Sequence, residues 1–150
     1  MSGSLLHPPQ RILQQLMINL GLAAAPGGTW PCYVGNMPDT PDNCVATHDV
    51  AGKLEAKLMH GAIVQKYGVQ VKVRSSGPVD GYVKVNAIEV ALAAVHNAQV
   101  NVEDESGTSS SNYQVNAISQ TSPILKLGPE QPQTRRYLWT WNGTLSLLLV

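Results

Sequence analysis

The chain has 150 residues, 43% of them hydrophobic and only 13% charged, and its ten basic and ten acidic side chains cancel. That length suits one domain with a real core, while neutrality argues against a dedicated nucleic-acid binder, which carries a basic excess. No apolar run approaches the ~20 residues of a membrane-spanning helix, and no basic stretch leads into an apolar one at the start, so neither a membrane span nor a secretory signal is expected. The expected compartment is the cytosol, where Cys32 and Cys44 stay reduced.

Along the chain, residues 1–28 read as an N-terminal helical segment. Pro8 and Pro9 suit a first helical turn, where a missing N–H costs nothing. Ile12, Leu13, Leu16, Met17 and Leu20 follow helical spacing, and Ala25-Pro-Gly-Gly28 ends the segment. Residues 30–35 form a short strand candidate, and residues 36–43 a rigid polar loop with two prolines and several Asp and Asn side chains. Residues 44–50 resume as a strand; residues 52–67 fit a helical turn or a loop equally well. Gly68-Val-Gln-Val-Lys-Val-Arg74 alternates valine with polar residues, the pattern of a half-buried strand. A turn at 75–80 that can also cap a helix comes next. Tyr82, Val85, Ile88 or Glu89, Leu92 and Val95 then mark an amphipathic helix of about four turns.

A strand begins near residues 100–102, a polar loop covers 103–112, and Tyr113, Val115, Ala117 and Ser119 alternate again. Residues 124–127 lead through Gly128-Pro-Glu into a last strand over 135–150. There Tyr137, Trp139, Trp141, Leu145, Leu147 and Leu149 share one parity, interrupted by Gly143, so they line one face. Such a greasy terminal strand is an aggregation site unless its own fold or a neighbour covers it. The expected architecture is α+β in a single domain spanning 1–150. It has a mostly antiparallel sheet, one long helix packed on it, and an N-terminal helix.

Few residues point to chemistry. Cys32, Cys44 and His48 lack the paired knuckle spacing of a zinc site, and two buried thiols beside a surface histidine is the plainer reading. A Cys44–His48–Asp49 nucleophile set fails on geometry, because adjacent strand residues face opposite ways. Asp39, Asp42 and Asp49 could hold a hard cation, but turn aspartates more commonly bond backbone N–H groups. Patterns for phosphate loops, dinucleotide binding, serine hydrolases and zinc proteases do not occur. Arg135 and Arg136, with Lys126 nearby, form a compact basic cluster, either solvated or in contact with phosphate or an acidic partner. The Tyr137, Trp139 and Trp141 face reads as core, with a base-stacking platform as the alternative. No catalytic, cofactor or metal residue is assigned, and the chain is not expected to be an enzyme.

Several motifs occur together in order: Trp30-Pro-Cys-Tyr-Val-Gly, Met37-Pro-Asp-Thr-Pro-Asp-Asn-Cys44, the 68–74 strand, Gly81-Tyr82 opening a helix, Ser122-Pro-Ile-Leu-Lys-Leu-Gly128 and Arg135-Arg-Tyr-Leu-Trp139. From about Trp30 onward the chain resembles the tail terminator, or tail-completion, proteins of tailed bacteriophages. Val50-Ala51 departs from a Tyr-Asp-Thr-Gly-Gly stretch usual in that family. The resemblance implies a structural virion protein that assembles in the host cytoplasm as a homo-oligomeric ring, usually a hexamer. Such a ring caps the tail tube, stops its polymerisation and meets a head-closure or connector protein, while DNA passes through the lumen without specific binding. Closing a ring requires head-to-tail contacts. The interface residues expected here are Asp39, Asp42 and Asn43, Glu103 and Asp104, and Arg135 and Arg136. Two other classes stay open. A ligand-binding or enzymatic α/β domain would need a pocket of convergent polar groups. A different neck component would be mostly helical if an adaptor, or a small β-barrel if a closure protein.

Overall fold

The computed structural model describes residues 6–53, 63–104, 106–129 and 136–149. The element order is α1 (Pro9–Asn19), β1 (Cys32–Val34), β2 (Cys44–Lys53), β3 (Ile63–Ser75), α2 (Pro78–Ala93), β4 (His96–Glu103), β5 (Ser110–Gln120), β6 (Leu125–Pro129) and β7 (Tyr137–Leu149). One sheet runs β1-β2-β3-β7-β5-β4, and off this path β6 pairs with β7. β1 pairs with β2 in parallel, and the other pairings are antiparallel. Among the described residues strand predominates beside two helices, and the sheet curls into a half-barrel. That architecture is α+β and does not fit a mostly helical adaptor.

The longest pairing explains why the terminal strand is so apolar. β7 lies in the middle of the sheet, matched to β3 from Tyr137↔Ser75 to Leu149↔Ile63. Its odd-numbered residues Trp141, Leu145 and Leu147 are buried together with Val69, Val71 and Val73 of β3, so the fold itself covers most of the strand. Gly143, which breaks the alternation, has its own purpose. A Cβ there would sit 2.2 Å from the Trp141 ring and 2.8 Å from the Ser119 carbonyl oxygen, so only glycine lets the indole lie across the backbone. Tyr137 and Trp139, expected in the core, are only half-buried. There β7 keeps β3 on one side but has only the short β6 on the other, in place of β5.

Both helices pack on the same face of the sheet and share one core. α2 lies over β3, β7 and β5, while α1 reaches β1, β2, β3 and β4 and so fills the mouth between the two edges of the curl. α2 comes close at Gly81, where a Cβ would meet Ser75 Oγ at 2.5 Å and Trp139 Cδ1 at 2.8 Å. α1 ends earlier than the Ala25-Pro-Gly-Gly28 signal suggests. Gly21 takes φ +75°, the Gly21 N–H donates to Ile18 O (3.1 Å) and the Leu22 N–H to Met17 O (2.9 Å). This is a Schellman cap, and it leaves Leu20 outside the apolar stripe, 46% exposed.

Three further differences from expectation have local causes. The 103–112 loop is shorter, because β4 and β5 stay paired out to Glu103↔Ser110. Residues 125–129 form a strand of their own. α2 is not amphipathic: besides its buried stripe of Val85, Ile88 and Leu92, it exposes Val79, Tyr82, Val83 and Val90. The ambiguous 52–67 stretch falls partly outside the described residues.

Candidate assembly surfaces

The expected interface residues separate into two places. The 36–43 loop lies by the end of the sheet where β7 begins, since β2 starts beside the end of β3 at Cys44↔Arg74 and Arg74 pairs with Leu138. The β4–β5 turn lies at the opposite end, since Gln114 pairs with Leu148. The molecule therefore presents two polar loops at two ends of one sheet.

At the first end, the loop is held from within by Arg74. Its side chain is buried, and Nη2 donates to the carbonyls of Pro38 (2.5 Å) and Pro41 (2.6 Å), while Nε donates to that of Asp42 (3.3 Å). A planar guanidinium can reach several carbonyls at once, which a lysine cannot do in that geometry. Arg136 Nε donates to Asp42 Oδ1 at 2.9 Å. Two of the residues expected to meet a partner thus meet each other, in an exposed pair with Asp42 57% accessible. The Ser76 N–H donates to Asn43 Oδ1 (3.0 Å), tying the loop to the turn before α2. Asp39 is exposed. Arg135 lies outside the described residues.

The second end carries Glu103, exposed, and Asp104, which is engaged inside the chain. His7 Nε2 donates to Asp104 Oδ1 (3.0 Å), His7 Nδ1 shares a hydrogen bond with the Tyr113 hydroxyl (2.7 Å), and Ser109 Oγ donates to Asp104 Oδ2. Gly107, at φ +72°, closes the turn by donating to the Asp104 carbonyl. These bonds fasten the segment before α1 to the hairpin.

The residues considered for chemistry have structural explanations. Asp49 Oδ1 accepts from the Gln10 N–H at 2.8 Å, so it serves the N-terminus of α1, where Pro8 supplies no side-chain cap. Cys32 and Cys44 are buried where β1 meets β2. Burial, then the neighbouring Cys44, pushes the Cys32 thiol up to about 12 against an opposing pull from Arg11. A thiol so raised stays protonated at neutral pH and is a poor nucleophile and metal ligand. Burial and then Lys72 hold His48 below the usual histidine range, with Asp49 opposing. Among the described residues, no group of three His, Cys, Asp or Glu side chains could share a metal ion, and no helix is long and apolar enough to cross a membrane.

The surface that sequence reasoning missed is the outer side of α2. Val79 is 71% exposed, Val83 60% and Val90 63%. With Ala87 and Ala94, also exposed, they recur at spacings of four, four, three and four, which places them in one stripe. That spacing was readable, but the equally apolar inner stripe drew the helix assignment. Beside Val83 and Ala87 opens a notch of about 320 Å³, also lined by Trp30, Asn43, Asp80 and Lys84. Lys84 Nζ sits 5.3 Å from the centre of the Trp30 ring, and burial pulls its pKa below the usual lysine value. A second apolar patch lies on β6, where Leu125 and Leu127 are 49% and 52% exposed.

No curated protein matches the chain. A family model described as bacteriophage tail terminator protein matches residues 16–128, from within α1 to within β6. The chain belongs to the bacteriophage tail terminator family and is a structural component of the virion tail.

Proposed function

We propose that this protein forms a closed ring, most simply a hexamer, on the last ring of the tail tube. There it halts tube growth and offers its other side to a head-closure or connector protein. Family membership over residues 16–128 is the observation that carries this reading. The two loop ends support it: a protein with one partner on each side needs two distinct surfaces, and the 36–43 loop and the β4–β5 turn stand at opposite ends of the sheet. The role is structural rather than enzymatic, with no cofactor. The chain's neutrality suits a lumen that DNA crosses without being held, since strong phosphate contacts would impede passage. Assembly takes place in the host cytoplasm.

The test is to add purified protein to tail-tube protein that is polymerising, and to follow tube length and tube ends by electron microscopy. Short tubes bearing a ring at one end are expected, with the mass of free or tube-bound rings matching a closed oligomer. Tubes that grow to the same length and carry bare ends, with or without the protein, would refute the reading.

A further inference from the structure

The outer stripe of α2 and the leucines of β6 are two apolar features of the same chain that its own fold leaves open. β6 has β7 on one side, and among the described residues no strand borders its other edge. A short edge strand with two half-exposed leucines is a site where another chain adds contacts. The stripe of Val79, Val83 and Val90 is equally anomalous, because a helix apolar on both sides is normally buried on both.

We infer that these two features meet across the ring: the outer face of α2 in one copy docks on the β6 edge of the next copy, with Leu127 entering the notch beside Val83. The inference rests on the ring reading above and names the surface that builds it. Three observations select a second copy of this chain as the occupant. The patches are different and lie on one protomer, which is what a head-to-tail contact requires; a self-complementary patch would give only a two-fold dimer. Their flanking charges are opposite. Asp80 and Lys84 both line the notch, but Lys84 Nζ lies over the Trp30 ring while Asp80 is exposed, and Lys126 lies next to Leu127 on β6. Neither Asp80 nor Lys126 makes a salt bridge among the described residues; Lys126 instead lies over the Tyr137 and Trp139 rings at 5.4 and 5.8 Å. Finally, the notch is a shallow depression in which Trp30, Val83 and Ala87 give an apolar side chain a seat among the polar Asn43, Asp80 and Lys84. The β6–β7 register breaks between Lys126 and Gly128, so Leu127 sits in an irregularity of an edge strand, where an approaching chain meets it beside Lys126.

Site-directed cross-linking tests the contact. Val83→Cys and Leu127→Cys variants are purified separately, mixed in equal amounts with tail-tube protein, and oxidised. Because Cys32 and Cys44 are buried, the introduced thiols are the accessible ones. Cross-linked dimers are expected in the mixture only, and a chain carrying both cysteines is expected to run as a ladder of linked copies up to the full ring. Dimers from Val83→Cys alone would show a two-fold contact and overturn the inference. Capped tubes with no cross-link in the mixture would also overturn it, while leaving the ring intact and moving its interface elsewhere. Wild-type protein that neither caps tubes nor forms rings would remove the ring reading and this contact together. As an independent check, Asp80→Lys and Lys126→Asp should each lower ring formation at least tenfold at moderate salt, and the two variants mixed or combined should recover most of it. Failure of the charge swap to rescue, with both proteins folded, would count against the pairing.

Discussion

The two helices share a core and differ in what they show to water. α1 buries Ile12, Leu13, Leu16 and Met17, and its outer side carries a polar ladder. Arg11 donates to Gln15 at 3.2 Å, and Gln15 to Asn19 at 3.0 Å, each four residues on. α2 buries Val85, Ile88 and Leu92 just as completely, yet its outer side offers Val79, Val83 and Val90. One helix is finished against solvent; the other is finished only on its inner side. The contrast teaches that packing within the chain accounts for α1 entirely and for half of α2; on the proposed ring, a neighbouring copy covers the remainder.

The largest effect that sharpens this comparison lies in the shared core. Trp141→Ala removes the largest buried side chain and leaves Gly143 facing a void, so a loss of about 3–5 kcal/mol is expected in chemical unfolding. A loss under ~1 kcal/mol would mean the core is not centred on β7. Next come two positions on α2 itself. Ile88→Ala should cost about 2–5 kcal/mol, while Val90→Ala, two residues on, should stay within ~0.5 kcal/mol in the dilute protein. Equal losses at both would show that the outer stripe is packed within the chain, and the contrast with α1 would disappear.

A smaller effect depends on pH. The folded protein holds His48 below its ordinary value of 6.5 through burial and Lys72, so the unfolded chain takes up the proton first as pH falls. Stability is therefore full above about 6.5 and declines below it, and His48→Gln should flatten that part of the profile. An unchanged slope would assign the decline to another group. The smallest effect belongs to the α1 ladder: Gln15→Ala removes its middle rung and should cost roughly 0.2–0.5 kcal/mol.

Much of the fold was legible because it rests on short-range periodicity. Alternating valines gave β3, the prolines before Gln10 gave the start of α1, and the long odd-numbered run gave β7. What escaped depends on contacts far apart in sequence. Arg74 reads as the last polar residue of a strand, and only the folded chain brings it under the Pro38 and Pro41 carbonyls. Asp49 looked like a possible cation ligand until α1 placed the Gln10 N–H beside it. The end of α1 was read from Pro and Gly at 26–28, whereas the single Gly21 ends it through its left-handed conformation. Among the expected interface residues, Asp42 and Arg136 read as partner contacts because charged loops often meet partners. Charge alone does not reveal that they satisfy each other. The apolar outer stripe of α2 was present in the sequence but masked by the inner one, since a helix with two apolar sides gives no single-sided pattern.

On the proposed ring, the outer face of α2 is a protein contact between copies. Its most direct test is the mass distribution, by sedimentation velocity, of wild-type protein and the Val90→Asp variant, each alone and after release from tail-tube ends. The prediction is a closed ring for the wild type, and a folded monomer of unchanged secondary structure that leaves tube ends bare for Val90→Asp. A variant that assembles and caps tubes as the wild type does would contradict the account.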